Sequence, residues 1–320
     1  MNESLRPLNL GEILDRTFQV YRSRFLLFLM LAALPVLAVT ALQVANFVWW
    51  KLYPAGGPRA LLGLGGPGIL YSLAVYQVAL FFHLLLWPAF SHAASRVYLG
   101  EETSLAAALK DTFRRWAGLL GGSLLDWLLL LAVPELVLGG GLIGLVYLLI
   151  EVLKLPIFVS DLTGPWIAIF LTAAVWCVAA WWNAALVLAV PVWTLEGFGA
   201  GRALRRAWGL SRESRFRLAF ARVMPPFIGW VLNLAFSTLI LWLLFTLLRR
   251  SPLWFAGPRL YAGVSLFTAG AVGTLIAPIF PIALTLLYYD QRVRHEGYDI
   301  ERMMECAGWT AGENETATPQ

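Results

Sequence analysis

Three times in this 320-residue chain, at a pitch of about 95 residues, a short amphipathic stretch is followed by two long apolar runs. The anchors are Ile13-Leu14-Asp15-Arg16-Thr17-Phe18, Ala108-Leu109-Lys110-Asp111-Thr112-Phe113 and Ala203-Leu204-Arg205-Arg206-Ala207-Trp208. Each places an apolar pair, then charge, then a small residue before an aromatic ring. A proline lies near the far end of each apolar pair of runs: Pro88, Pro191 and Pro281. Self-similarity at a fixed period fixes architecture before anything else. It says far less about activity.

The apolar runs are long enough to decide the solvent. Mean hydropathy is +0.71, with 59% hydrophobic and only 13% charged residues, against about 25% charged in soluble domains. A helix needs about 20 apolar residues to cross the hydrocarbon core. The chain therefore reads as an integral membrane protein, all-α and polytopic. The first apolar run starts only at Phe25 and is long enough to remain as a span, so no cleavable leader is expected. Cys177 falls in an apolar run and Cys306 in a hydrophilic one, which argues against a disulfide. His83, His92 and His295 have no partners at metal-ligand spacing, and no metal or cofactor is expected.

Each amphipathic stretch predicts a helix lying on the membrane surface. The first covers residues 9–24, capped by Asn9 with Glu12 completing a capping box. Leu10, Ile13, Leu14, Phe18 and Tyr21 share its apolar face. The second starts near Thr103 or Ser104, and the third covers Gly199 to Arg212. Spans are expected at Phe25–Phe47, Ile69–Ala94, Trp166–Val192, Val223–Leu247 and Val264–Tyr288, with Trp87 and Trp193 among the rings of an interfacial belt. The region Trp116–Ile150 is too long for one straight span and is interrupted by Pro134-Glu135 and a triple glycine. It is either one broken span or two short ones. With one, 18 of the 24 lysines and arginines lie on the side of the N-terminus; with two, the charge divides evenly. Cytoplasmic loops carry the excess of positive charge. Six spans in three hairpins follow, with both termini cytoplasmic in a bacterial inner membrane. Residues 1–308 form one membrane domain, with pseudo-repeats over 1–98, 99–193 and 194–290, and 309–320 is a disordered polar tail.

Polar residues interrupting the spans are costly and often functional. His83, Asp126 and Glu135 stand out, and the two carboxylates could bind a cation or relay a proton in a wet cavity. Interhelical hydrogen bonding accounts for them as well. The arginine run is the stronger signal: Arg202, Arg205, Arg206, Arg212, Arg215, Arg217 and Arg222, opposed only by Glu213. Basic residues at the inner surface attract anionic headgroups by about 1 kcal/mol each. Lipid anchoring and simple setting of topology are both open, and they are compatible. Nucleic acid is not an expected partner, since no soluble aromatic surface accompanies the charge. No nucleophile elbow, phosphate loop or zinc helix occurs.

Two end segments carry a resemblance. Arg6-Pro-Leu-Asn-Leu-Gly-Glu-Ile-Leu-Asp-Arg-Thr-Phe-Gln-Val-Tyr-Arg22 resembles the opening of a bacterial family of multi-span membrane proteins of unknown function. Leu287-Tyr-Tyr-Asp-Gln-Arg-Val-Arg-His-Glu-Gly-Tyr-Asp-Ile-Glu301 resembles its closing segment, and Ala203-Leu-Arg-Arg-Ala-Trp-Gly-Leu210 also fits. The family is similar to the membrane domain attached to some glycerophosphodiester phosphodiesterases. The resemblance implies the membrane module without the catalytic barrel, and it transfers no catalytic residue. The expectation is a non-catalytic membrane scaffold or accessory whose basic face engages anionic phospholipid or a membrane or cytoplasmic protein partner. The alternative is a small-solute or lipid transporter with a polar site near Asp126 and Glu135.

Overall fold

A computed structural model describes residues 6–52, 77–78, 81–114, 116–129, 141, 174, 177–247 and 257–306. Every regular element among them is helical: α1 (Leu10–Ser23), α2 (Phe25–Leu52), α3 (Trp87–Tyr98), α4 (Leu105–Phe113), α5 (Trp116–Trp127), α6 (Ala189–Leu195), α7 (Ala200–Ser211), α8 (Arg215–Leu247), α9 (Gly257–Ile276), α10 (Ile279–Glu296) and α11 (Tyr298–Cys306). Among the described residues, four stretches are long and apolar enough to cross a membrane: Phe25–Ala45, Cys177–Leu195, Arg215–Thr246 and Gly263–Glu296. Residues 69–76 and 79–80 of the expected second span, 130–140 with Glu135, 142–150, and 166–173 and 175–176 of the expected fourth span lie outside the described residues. So does the tail 309–320.

Helices α1, α4 and α7 form at the three anchors, where the local chemistry placed them. Asn9 caps α1, accepting from the Glu12 amide at 2.8 Å while the Glu12 carboxylate accepts from the Asn9 amide at 2.8 Å. That backbone donor, and then Arg6 at 2.6 Å, hold the Glu12 carboxyl below its ordinary value. Ser104 caps α4 through the Ala107 amide. Each of these helices is followed within a few residues by an apolar helix: α1 by α2 after Arg24, α4 by α5, and α7 by α8 across 212–214.

Within the protein, each of these helices packs through the residue beside its ring and not through the ring itself. The buried positions of α1 are Ile13, Thr17, Val20 and Tyr21, while Phe18 is 52% exposed. The reason is angular. Thr17 lies one turn above Ile13, and Phe18 is rotated about 100° further round. The same register recurs. Ala108 and Thr112 are buried in α4 with Phe113 at 45%, and Ala203 and Ala207 are buried in α7 with Trp208 at 40%. The buried hydroxyls of α1 and α4 are satisfied within their own helices: Thr17 donates to the Ile13 carbonyl at 2.7 Å, and Thr112 to the Ala108 carbonyl at 2.8 Å.

The last apolar region is a candidate span, as expected, but not one straight helix: α9 and α10 meet at a break at Ala277-Pro278. Pro278 and Pro281 have no amide to continue the helical ladder, so the helix restarts. Matching breaks occur at Leu86, before Pro88, and at Val187-Leu188, before Pro191. The short helices after the three breaks, α3, α6 and α10, pack against one another. They supply the densest core, with Phe90, Ala93, Leu188, Val192, Ile282, Leu284 and Tyr288 buried. A left-handed glycine follows each of them: Gly100 (φ 79°), Gly197 (φ 71°) and Gly297 (φ 64°).

Surface helices α4 and α7 fold back on the α3 and α6 that precede them, while α1 lies on α10 from the other end of the chain. Trp87 and Trp193, expected in an interfacial belt, face protein instead. Trp87 is buried against Phe280, ring centroids 5.2 Å apart, and the Trp193 indole donates to Asp126 at 3.3 Å. Both sit beside proline breaks, where the helix turns inward onto the core.

Candidate functional site

Among the described residues, the charged end holds two ionic clusters, and two cavities lie among the helices. The first cluster is centred on Asp290 of α10, whose side chain is fully buried. Its carboxylate accepts from the Leu8 amide at 2.7 Å, Arg217 Nη1 at 3.2 Å, Arg294 Nε at 2.9 Å and Gln291 Nε2 at 3.2 Å. Arg294 also donates to the Leu8 carbonyl at 2.6 Å. Both backbone groups of Leu8 are thereby engaged, and the chain entering α1 is fixed to α8 and α10. Tyr21, one face further along α1, donates to the Leu275 carbonyl at 2.9 Å, and burial raises its pKa.

The second cluster links α6, α7, α10 and α11. Glu196 accepts from the Tyr288 hydroxyl at 2.6 Å and pairs with Arg206 Nε at 2.6 Å. Arg206 reaches on to Glu296 at 2.9 Å, which also pairs with Arg292 at 3.0 Å. Arg292 lies 4.1 Å over the Tyr298 ring. Tyr98, Tyr289 and Tyr298 stack in succession at 5.7 and 5.5 Å, and Tyr289 shares a 2.6 Å hydrogen bond with Ser95. These interactions lock the packed ends of the helices; nothing in them resembles a reacting pair.

The arginine run therefore divides. Arg206 and Arg217 are held in the clusters, and Arg215 lies 4.6 Å over the Trp208 ring. Arg202, Arg205 and Arg212 are exposed. Sequence reasoning did not single out Asp290, Glu196 or Glu296 as partners. The only available signal was Glu196 flanking the arginine-rich stretch, whereas Asp290 and Glu296 come from a remote segment.

The intramembrane candidates separate as well. Asp126 on α5 is buried with the Trp193 indole as its donor, and it lines neither cavity. Glu135 lies outside the described residues. One cavity, of about 640 Å³, lies where α3, α4, α5 and the α6–α7 connection meet; its polar lining includes His92, Asp111, Arg114 and Glu196. Asp111 in it is paired with Arg96 at 2.8 Å. The other, of about 330 Å³, is an apolar cleft between α2, α8, α9 and the start of α10, and it contains His83 and Arg222. His83 stands edge-on to Trp87 at 6.3 Å. Arg222 lies over both Trp87 and Phe280, 5.7 and 5.1 Å from the ring centroids. No group of three His, Cys, Asp or Glu residues that could hold a metal occurs among the described residues.

No curated protein and no solved structure matches the chain. A family match exists, and it includes the closing segment Leu287–Glu301 but begins after the opening one. Residues 68–313 match the membrane domain of glycerophosphoryl diester phosphodiesterase, and the chain belongs to that family.

Proposed function

We propose that the chain is a non-catalytic, six-span module of a bacterial inner membrane, made of three related hairpins, whose basic cytoplasmic face holds anionic phospholipid headgroups. The observation that carries this reading is the shared register of the three surface helices. In each, an i, i+4 pair is buried against the core while an aromatic ring, Phe18, Phe113 or Trp208, is turned outward. Such rings suit the boundary between headgroups and acyl chains. The exposed Arg202, Arg205 and Arg212 stand on or beside the third helix, which this reading sets against the lipid phosphates. The matching proline breaks and left-handed glycines support three related units. Helix α11 adds a further outward apolar face with Ile300, Met303 and Met304. Asp126 itself lines neither cavity, and its carboxylate is taken up by the Trp193 indole, which fits a structural role better than a transport site.

The test is lipid selectivity. In vesicles of mixed phosphatidylglycerol and phosphatidylethanolamine, the protein should retain an excess of the anionic lipid on gentle extraction, and high salt should reduce it. The triple variant Arg202→Gln, Arg205→Gln, Arg212→Gln should lose most of that excess while keeping its thermal stability. Equal lipid ratios for wild type and triple variant would remove the proposal.

A further inference from the structure

The cleft beside Arg222 has the shape and charge of a seat for one lipid molecule. Its walls are mostly apolar helix surfaces, with His83, Arg222 and Asn233 as their polar groups. A guanidinium set in such walls attracts an anion strongly, because the surroundings screen it far less than water does. Arg222 is fixed from below by Trp87 and Phe280, so its orientation is paid for before a ligand arrives. Trp87 Nε1 is buried beside it and finds no acceptor among the described residues. Arg222 stands in the second turn of α8, about 10 Å along the helix from its start. From there to Asn233 the cleft follows α8 for about 16 Å. Pro225 and Pro226 interrupt the ladder of α8, and Gly229 and Gly273 remove side chains from facing walls. Trp230 at its edge is 61% exposed, which places the mouth on the outer, apolar surface of the bundle. At the deep end, Thr268 donates to Asn233 at 2.6 Å, so that polar group is satisfied within the protein.

We infer that this cleft binds a single anionic phospholipid from the surrounding bilayer, its phosphate on Arg222 and an acyl chain along Gly229, Asn233 and Gly273. A volume of about 330 Å³ falls at the small end of ligand pockets and suits one chain better than a whole lipid. His83 and Trp87 flank the headgroup end. The site is independent of headgroup binding by the surface arginines.

The full chain in detergent micelles tests it by native mass spectrometry. One phosphatidylglycerol should be held through high salt, and phosphatidylethanolamine with the same chains should be held roughly tenfold less tightly. Arg222→Gln should weaken this event by roughly tenfold, with Arg222→Lys between. Gly229→Leu, whose first added carbon meets only Ile276 at ordinary contact distance, should fill the cleft and abolish binding. Glycerol phosphate, which has the anion without chains, should not compete; effective competition would make this a free-anion site and overturn the proposal. Equal retention of both lipids, or unchanged binding in both variants, would also overturn it. A control needs no variant: a phosphatidylglycerol carrying a diazirine near the chain end should label residues 226–233 or 269–277 of the wild type, suppressed by unlabelled lipid. Labelling confined to other residues would refute the seat. The Arg202, Arg205, Arg212 triple variant should leave this one lipid in place. Losing it there, with Arg222→Gln silent, would assign the lipid to the surface and eliminate the cleft.

Discussion

Asp290 is the residue on which the charged end depends. Its carboxylate is fully buried, whereas Arg217 and Arg294 each remain about one-third exposed. Removing a buried partner leaves charges and backbone groups without compensation, which costs about 3–5 kcal/mol. The partial exposure of the arginines places the loss near the lower end. Asp290→Ala should therefore lower the unfolding temperature in detergent markedly, and Asp290→Asn, which keeps an acceptor for the Leu8 amide, should fall between. Arg205→Gln, on an exposed side chain that takes part in neither cluster, should leave the midpoint unchanged. A wild-type midpoint for Asp290→Ala would mean that the cluster decorates the fold without holding it. This residue was present in the segment that suggested the family, yet its role was not legible there. Nothing local to Tyr288-Tyr289-Asp290 shows that its partners are Leu8 and Arg217, hundreds or tens of residues away.

At the scale of elements, caps and breakers were readable because their physics is local. Asn9 with Glu12, and Ser104 before Leu105, signal helix starts within four residues. The inward face of each surface helix was harder to read, since Phe18 is more hydrophobic than Thr17 and yet turns outward. A lipid environment removes the penalty that water would impose on that ring, so hydrophobicity alone does not indicate the packed side. Glycines divide by the same logic. Gly100 has a left-handed backbone and open space where a side chain would stand, so Gly100→Ala isolates the backbone cost, about 1–2 kcal/mol. Gly209, inside α7 with equal space around it, should respond with the opposite sign: Gly209→Ala should stabilise by about 1 kcal/mol. Thermal unfolding of the two variants reads the difference directly. If both shift the same way, the left-handed turn after α3 is not a fixed feature of the fold.

At the scale of the molecule, the arrangement resembles a ring closed by its own beginning. Surface helices α4 and α7 rest on end helices that immediately precede them, which short connections alone would encourage. Helix α1 has no preceding unit, and it occupies α10 instead, tied there through Leu8 and Tyr21. Periodicity could foretell three units, but not this closure, because a repeat pattern contains no information about which copy meets which. The proposed layout requires all three surface helices on one side of the membrane. Cysteines placed singly at the outward positions, Phe18→Cys, Phe113→Cys and Trp208→Cys, test that in a background lacking Cys177 and Cys306. A membrane-impermeant thiol reagent should reach all three in inside-out vesicles and none in right-side-out cells. Two sites on one side and one on the other would break the ring, since an end helix and the surface helix packed on it cannot lie on opposite faces of a bilayer about 30 Å thick. Three sites labelled from outside would keep the ring and invert it, placing the exposed arginines against the positive-inside bias.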